Sequence, residues 1–329
     1  MNGTFRRKIF GIKTEAEFNA AALELFRFQV SANTVYSDFI KNLGTDIETI
    51  KDFRQIPFMP VSFFRDHDIY CSDIPPVTTF YSSGTTGMVR SHHPIADISY
   101  YEESYSRTFR LFYGEPSRYA FIALLPSYAD REGSSLVHMV KGLIRLSGND
   151  CGGFFLENYD EMLKAVEKAR ESGLIPLIIG VSFALLDLAE GYRTDLHDAI
   201  VMETGGMKGR RKEIIREELH SVLCEAFNLN VIHSEYGMTE LLSQAYSSGG
   251  GLFATPPWMR ILIRDSHDPL SHSTEEGTSG GISVLDLANV WSCAFIATSD
   301  LGTMHGNDRF EVLGRFDNAD IRGCNLLVS

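Results

Sequence analysis

Apolar positions first recur with helical spacing at Phe18, Ala22, Leu25 and Phe26. Just upstream, Thr14 and Glu17 have the spacing of a capping box. Together they predict a helix from Thr14 to about Val30. Shorter helical pieces follow, interrupted at Pro57 and Pro60. The chain up to Pro76 is expected to be mostly helical, with Phe53, Phe58, Phe63 and Phe64 in its core rather than against a ligand.

From Val77 onward strand-like and helix-like runs alternate. Val77 to Phe80 is a short β-branched and aromatic run, and a helix is predicted from about Asp97. Tyr119 to Pro126 and Leu174 to Val181 are continuous apolar runs and read as buried strands. Shorter strands are predicted at Gly153–Leu156, Ala199–Glu203 and Val231–Glu235. Helices are predicted between them, at Gly133–Leu146, Tyr159–Glu171, Ser182–Tyr192 and Lys212–Phe227. This alternation predicts an α/β fold, a mostly parallel sheet flanked by helices. After Tyr246 the texture changes to short strands with turn residues between them: Met259–Arg264, Gly281–Leu287, Ala294–Ser299 and Arg309–Leu313. The expected organisation is a helical part over 1–76, an α/β nucleotide-binding core over 77–246 and a β-rich subdomain over 247–329, packed as one catalytic unit.

Composition narrows the function. At 329 residues, with 44% hydrophobic and 22% charged positions, the chain has the profile of an ordinary soluble globular protein. Its formal net charge of −13 argues against a general nucleic-acid binder, because phosphate contacts need a basic face. Cys71, Cys151, Cys224, Cys293 and Cys324 are odd in number and scattered, which suggests neither a disulfide framework nor a zinc site. No apolar run is long enough for a membrane-spanning helix, and the basic N-terminus lacks a signal-peptide core. A cytoplasmic protein is expected.

Five stretches carry candidate chemistry. Tyr81-Ser82-Ser83-Gly84-Thr85-Thr86-Gly87-Met88-Val89-Arg90 follows a strand. Its glycines let the backbone approach an anion, its hydroxyls and amides are donors, and Arg90 adds a cation. The spacing is not that of a Walker loop, and a surface turn is the plainer alternative. Thr204-Gly205-Gly206 lies at a strand end, where α/β sheets admit flat ligands, or is a tight turn before a solvated charged face. In His233-Ser234-Glu235-Tyr236-Gly237-Met238-Thr239-Glu240, the Tyr236 ring can stack on a base, the Thr239 hydroxyl can donate to phosphate and the Glu240 carboxylate can hold Mg²⁺. His233 itself reads as a structural histidine. Last come Ala297-Thr298-Ser299-Asp300-Leu301-Gly302 and Gly314-Arg315-Phe316-Asp317-Asn318-Ala319-Asp320-Ile321, in which Asp300 alone would equally suit a turn. Gly277-Thr278-Ser279-Gly280-Gly281 has the letters of a nucleophile elbow but precedes a strand instead of a helix, and is set aside. His92-His93 lacks a metal-ligand pattern.

Taken in order, these stretches resemble the motifs of the acyl-adenylating superfamily. The first is similar to its phosphate loop S-S-G-T-T-G-x-x-K, with Arg90 at the lysine position. Tyr236 to Glu240 match Y-G-x-T-E letter for letter. Thr298 to Gly302 resemble T-G-D-L-G with serine at 299. Gly314 to Ile321 resemble G-R-x-D-x-x-I with one extra residue. The resemblance implies ATP and Mg²⁺ as cofactors. Ser82, Ser83, Gly84, Thr85, Thr86, Gly87 and Arg90 would cradle phosphates, and Gly205, Gly206, Tyr236 and Gly237 would line the adenine. Thr239 would contact the α-phosphate, Glu240 the metal, Asp300 the ribose, and Arg315 the nucleotide.

Full members continue into a mobile C-terminal domain that supplies a lysine for adenylation. This chain is expected to lack that domain, so the lysine is dispensable, is replaced by Lys208, Arg210 or Arg211, or leaves the first half-reaction weak. Leu124 to Tyr128, Gly133 to Val137, Glu203 to Arg211 and Arg322 to Leu326 look more like the acyl-protein synthetases of bacterial bioluminescence. That likeness implies Cys324 as the acyl carrier, a buried inert cysteine being the alternative. The implied function is ATP-dependent activation of a carboxylic acid, in particular a fatty acid, and transfer to a thiol on protein. An acyl-accepting protein or CoA would be the partner. An aryl- or acyl-CoA ligase and a nucleotide-binding module with reduced catalysis are the rival readings.

Overall fold

The structure is a computed structural model. It describes residues 3–71, 74–83, 90–125, 133–156, 158–192, 194–205, 214–265, 268–306 and 309–316. The chain divides into two units, one of Met1–Ile74 with Pro257–Ser329 and one of Pro75–Pro256.

The Pro75–Pro256 unit is the α/β part. Its parallel strands run in the order Gly153–Phe154, Tyr119–Leu124, Ile175–Val181, Ile200–Thr204 and His233–Tyr236. Ala245–Ser247 and Leu252–Ala254 continue the sheet antiparallel. Tyr119–Leu124 is buried at every residue, as a central parallel strand covered on both faces should be. The covering helices follow the apolar periodicity. Tyr159–Glu171 turns Met162, Ala165, Val166 and Ala169 inward. Asn158 caps it, Asp160 and Glu161 lie in its first turn, and Lys168 and Arg170 in its last, each favourable to the helix dipole. A separate antiparallel hairpin, Thr78–Tyr81 with His92–Ile95, carries the expected phosphate loop at its tip. The second of these strands was not expected from sequence, because His-His-Pro-Ile has no alternation to reveal it.

In the other unit, the predicted N-terminal helix spans Glu15–Ala32, and Thr14 and Glu17 form the capping box in both directions. An antiparallel ladder runs in the order His272–Ser273, Met259–Arg264, Ser279–Asp286, Phe295–His305 and Arg309–Arg315. Met59–Pro60 pairs parallel to Phe295–His305. Ser279 begins a strand, so it is no nucleophile elbow. Of the four aromatics expected in the core, Phe53, Phe58 and Phe64 are buried and Phe63 is half-buried. The Phe295 ring meets Phe26 edge-on at 6.0 Å and stacks on Tyr36 at 5.8 Å. The buried Gln29 amide donates to the Asn289 and Val290 carbonyls at 2.7 and 3.0 Å and accepts from the Ala294 N–H at 2.9 Å. An apolar helix face thus satisfies the turn before the long strand.

His272 lies 4.6 Å from Phe58 between ring centroids, and burial pushes its imidazole down from 6.5 to about 4. Nδ1 meets the Leu270 carbonyl at 3.2 Å, so Nδ1 donates and Nε2 accepts from the Ser283 hydroxyl at 3.1 Å. The folded value lies below the unfolded one, so the neutral ring favours folding above about pH 6.5, and that contribution is lost as the pH falls towards 4. The interval corresponds to about 3 kcal/mol at 1.36 kcal/mol per unit. Both tryptophans, Trp258 and Trp291, belong to this unit, so their fluorescence reports its unfolding. His272→Gln should flatten the acid limb of that stability curve; an unchanged acid limb would place the titration elsewhere.

Among the described residues no helix is long and apolar enough to cross a membrane.

Candidate active site

Val181, Thr204 and Glu235 stand side by side in the register of three neighbouring parallel strands. The loops that leave these carboxyl ends are where an open α/β sheet admits ligands. Gly205 follows with φ +63°, a left-handed conformation that suits glycine, and its carbonyl accepts from the Ser182 hydroxyl at 2.6 Å. The Thr204 hydroxyl donates to the Glu235 carboxylate, joining the roots of two expected nucleotide loops. At Gly237 a Cβ would come 2.5 Å from Glu235 Oε1, so a larger residue there would make the Glu235 carboxylate shift.

Tyr236 ends the strand and is buried, with its ring edge-on to Phe253 at 6.0 Å. The Arg216 guanidinium lies over the Phe253 ring at 5.1 Å. Beyond Gly237 the chain turns, with Leu241 N–H donating to the Met238 carbonyl at 3.1 Å. That turn holds Thr239, half-buried, and Glu240, buried. The Thr239 carbonyl accepts from His93 Nδ1 at 2.9 Å, and His93 is a buried residue of the phosphate hairpin.

The hairpin's neck is closed by two bonds, Ser82 N–H to the Ser91 carbonyl at 2.9 Å and Ser91 N–H to Ser82 Oγ at 3.0 Å. Ser83 and Arg90 are exposed on either side of the loop. Gly84, Thr85, Thr86, Gly87, Gly206 and Cys324 lie outside the described residues, as do Lys208, Arg210, Arg211 and the stretch from Asp317 to Ile321.

The other unit carries Asp300 and Arg315, and the structure pairs them directly. They face each other in the register of adjacent strands, and Arg315 Nε donates to Asp300 Oδ1 at 3.0 Å. Asp300 N–H donates to Thr298 Oγ1 at 3.1 Å. Asp300 is a strand residue, 7% exposed, and not part of a turn.

Sequence reasoning missed four side chains that shape these stretches. His93 and Glu235 are described above. Glu203 lies beside Ser234 in register; Arg216 Nε donates to it at 3.2 Å and His220 Nε2 stands 3.7 Å away. Burial alone would raise its carboxyl, but the neighbouring His220 and Ser234 side chains and the Arg216 charge together hold it below the usual range. In the other unit, Arg264 donates to the Thr298 carbonyl at 3.0 Å, two residues before Asp300. The signal for the acidic pair was present: polar letters inside a central parallel strand, where apolar ones are the norm, mark a site.

Tyr113 O–H lies 3.1 Å from His233 Nδ1, and burial lowers the His233 pKa, so this ring is a structural partner in a half-buried position. Among the described residues no group of three or more His, Cys, Asp or Glu is placed to hold a metal. A single buried carboxylate beside a threonine fits Mg²⁺, which binds through one or two carboxylates together with substrate phosphates.

No family model matches the chain, and no curated protein does. Solved structures do. An open conformation of 2-hydroxyisobutyryl-CoA ligase, in complex with 2-HIB-AMP and CoA, aligns over 95% of this chain and 78% of its own, with TM-score 0.62 and 13% identity. ATP-bound MatB from Rhodopseudomonas palustris aligns over 72% of this chain with TM-score 0.56 and 18% identity. The O-succinylbenzoate coenzyme A synthetase MenE of Bacillus subtilis, in complex with ATP and magnesium ion, aligns over 72% with TM-score 0.51 and 19% identity. The chain shares their fold. It spans about half the length of MatB and MenE, 47% and 50% respectively.

Proposed function

We propose that the chain activates a carboxylic acid with ATP and passes the acyl group to a thiol. The observation that carries this reading lies in the Pro75–Pro256 unit. There the phosphate hairpin, the Thr204-Gly205 turn and the Tyr236–Glu240 turn are joined to one another by hydrogen bonds at the carboxyl ends of the parallel strands. The shared fold with ligases whose structures hold ATP, AMP esters or CoA supports it.

In the first step a carboxylate oxygen attacks the α-phosphorus of ATP. A phosphorus–oxygen bond forms, the bond to the bridging oxygen breaks, and pyrophosphate leaves with that electron pair. The loop from Ser82 to Arg90 and the Thr239 hydroxyl would stabilise the charge that builds on phosphate oxygens. Glu240 would hold Mg²⁺, which would supply further charge neutralisation when bound. Tyr236 and Gly205 with Gly206 would take the base. Orienting two anions for in-line attack is much of the work.

In the second step a thiolate attacks the mixed anhydride. A thioester forms and AMP leaves, the thiol proton having gone to solvent. We assign the thiolate to Cys324, as in an acyl-protein synthetase, with a fatty acid as substrate and a thiol on an accepting protein as the end point. CoA as acceptor is the second reading, favoured by the CoA in the 2-hydroxyisobutyryl-CoA ligase structure.

Hydroxylamine traps an acyl-adenylate as hydroxamate, so acid-dependent hydroxamate and AMP are expected with the wild type. Cys324→Ser should leave that yield unchanged and abolish hydroxylamine-labile acyl label on the protein. Equal protein labelling in the two would remove Cys324 as carrier, and acyl-CoA as the product would move the assignment to the CoA ligases.

A further inference from the structure

We infer that His93 is a positioning residue that couples the phosphate hairpin to the Thr239–Glu240 peptide; the inference rests on the acyl-activating reading of that site. His93 is the second residue of the His92–Ile95 strand, opposite Phe80, and is fully buried. Its Nδ1 lies 2.9 Å from the Thr239 carbonyl. A carbonyl only accepts, so Nδ1 carries the proton. Fixing that carbonyl fixes the plane of the peptide joining Thr239 to Glu240. Those are the two side chains to which the reaction gives the α-phosphate and the metal.

The bond also has a defined lever arm. Two residues before His93, Ser91 closes the neck of the phosphate loop against Ser82. At the opposite end of the turn, Glu235 accepts from Thr204 and fills the space beside Gly237. The turn is therefore tied at its start to the Thr204-Gly205 root and at its end to the phosphate hairpin. Any displacement at the neck of the loop is carried through the His93 ring to Thr239 and Glu240. The geometry supplies a preorganised turn before nucleotide arrives, and small misplacements at such positions are costly to rate.

Three full-length variants separate this role from simple packing. In His93→Asn the side-chain amide nitrogen can take the place of Nδ1. In His93→Gln the amide reaches the Nε2 position instead. His93→Phe keeps a ring without a donor. The readout is amide hydrogen exchange, followed by mass spectrometry, on the protein without nucleotide or acid. Peptides covering 236–242 should exchange about tenfold faster in the Gln and Phe variants, the size expected when one buried hydrogen bond is lost. The Asn variant should match the wild type, and the Tyr119–Leu124 strand should keep its protection in all of them.

Unchanged exchange at 236–242 in His93→Gln would overturn the coupling. So would an Asn variant as loose as the Gln one, or a loss of protection that spreads equally to Tyr119–Leu124. The assay needs no turnover. A protein that shows this pattern but never activates an acid would retain the coupling and lose the functional reading, so the two failures are told apart.

Discussion

Glu240→Gln is expected to lower carboxylate-dependent turnover by about 10² to 10³, the range for removing one group that stabilises developing charge in a shielded site. The substitution keeps the volume of a buried side chain and deletes its charge. It should therefore weaken the hold on Mg²⁺, the metal being bound by few protein oxygens and by substrate phosphates. The diagnostic is the Mg²⁺ dependence of initial rate: half-saturation should move to higher Mg²⁺, with partial recovery at high concentration. Wild-type rate and wild-type Mg²⁺ dependence in the variant would remove Glu240 from the metal.

Glu203→Gln is expected to cost about 3 kcal/mol of stability, because breaking a buried ion pair at one partner strands the other. Glu203 is 5% exposed and faces Arg216 at 3.2 Å and His220 at 3.7 Å. With the carboxylate gone, the guanidinium and imidazole face an amide. Because the folded carboxyl titrates below its unfolded value of 4.5, its contribution is present above that value and is lost as the pH falls through the folded one. Wild type and Glu203→Gln should then converge in stability at low pH. The measurement is amide exchange of the Ile200–Thr204 strand across a denaturant series at pH 7 and at acid pH. A variant as stable as wild type at pH 7 would show that Arg216 and His220 do not depend on this carboxylate. Arg216 also covers Phe253, which packs on Tyr236, so the same variant should loosen the expected adenine platform.

The α/β architecture was legible where burial is uniform along an element. Tyr119–Leu124 and Ile175–Val181 announce themselves as unbroken apolar runs, and Tyr159–Glu171 has one apolar stripe with charges sorted towards its ends. The Thr14 capping box was equally visible, because it is a contact between near neighbours. What the letters concealed is long-range. His92–Ile95 is a strand because Thr78–Tyr81 pairs with it, and its own residues show no period.

The same holds for the candidate site. Tyr236, Thr239, Glu240 and Asp300 were picked out through ordered motifs, each a local string. His93, Glu203, Glu235 and Arg264 were missed because their partners lie on other strands or loops, and a bond such as His93 to Thr239 leaves no trace in spacing. The glycine of Y-G-x-T-E shows the intermediate case. Its letter was readable, but its closeness to Glu235 Oε1 shows only in the fold.

Exchange of labelled pyrophosphate into ATP tests the reversible formation of an acyl-adenylate most directly. With fatty and aromatic acids supplied one at a time, label should enter ATP only when an acid is present, and only with Mg²⁺. A protein that binds ATP yet returns no label to it with any acid would contradict the account.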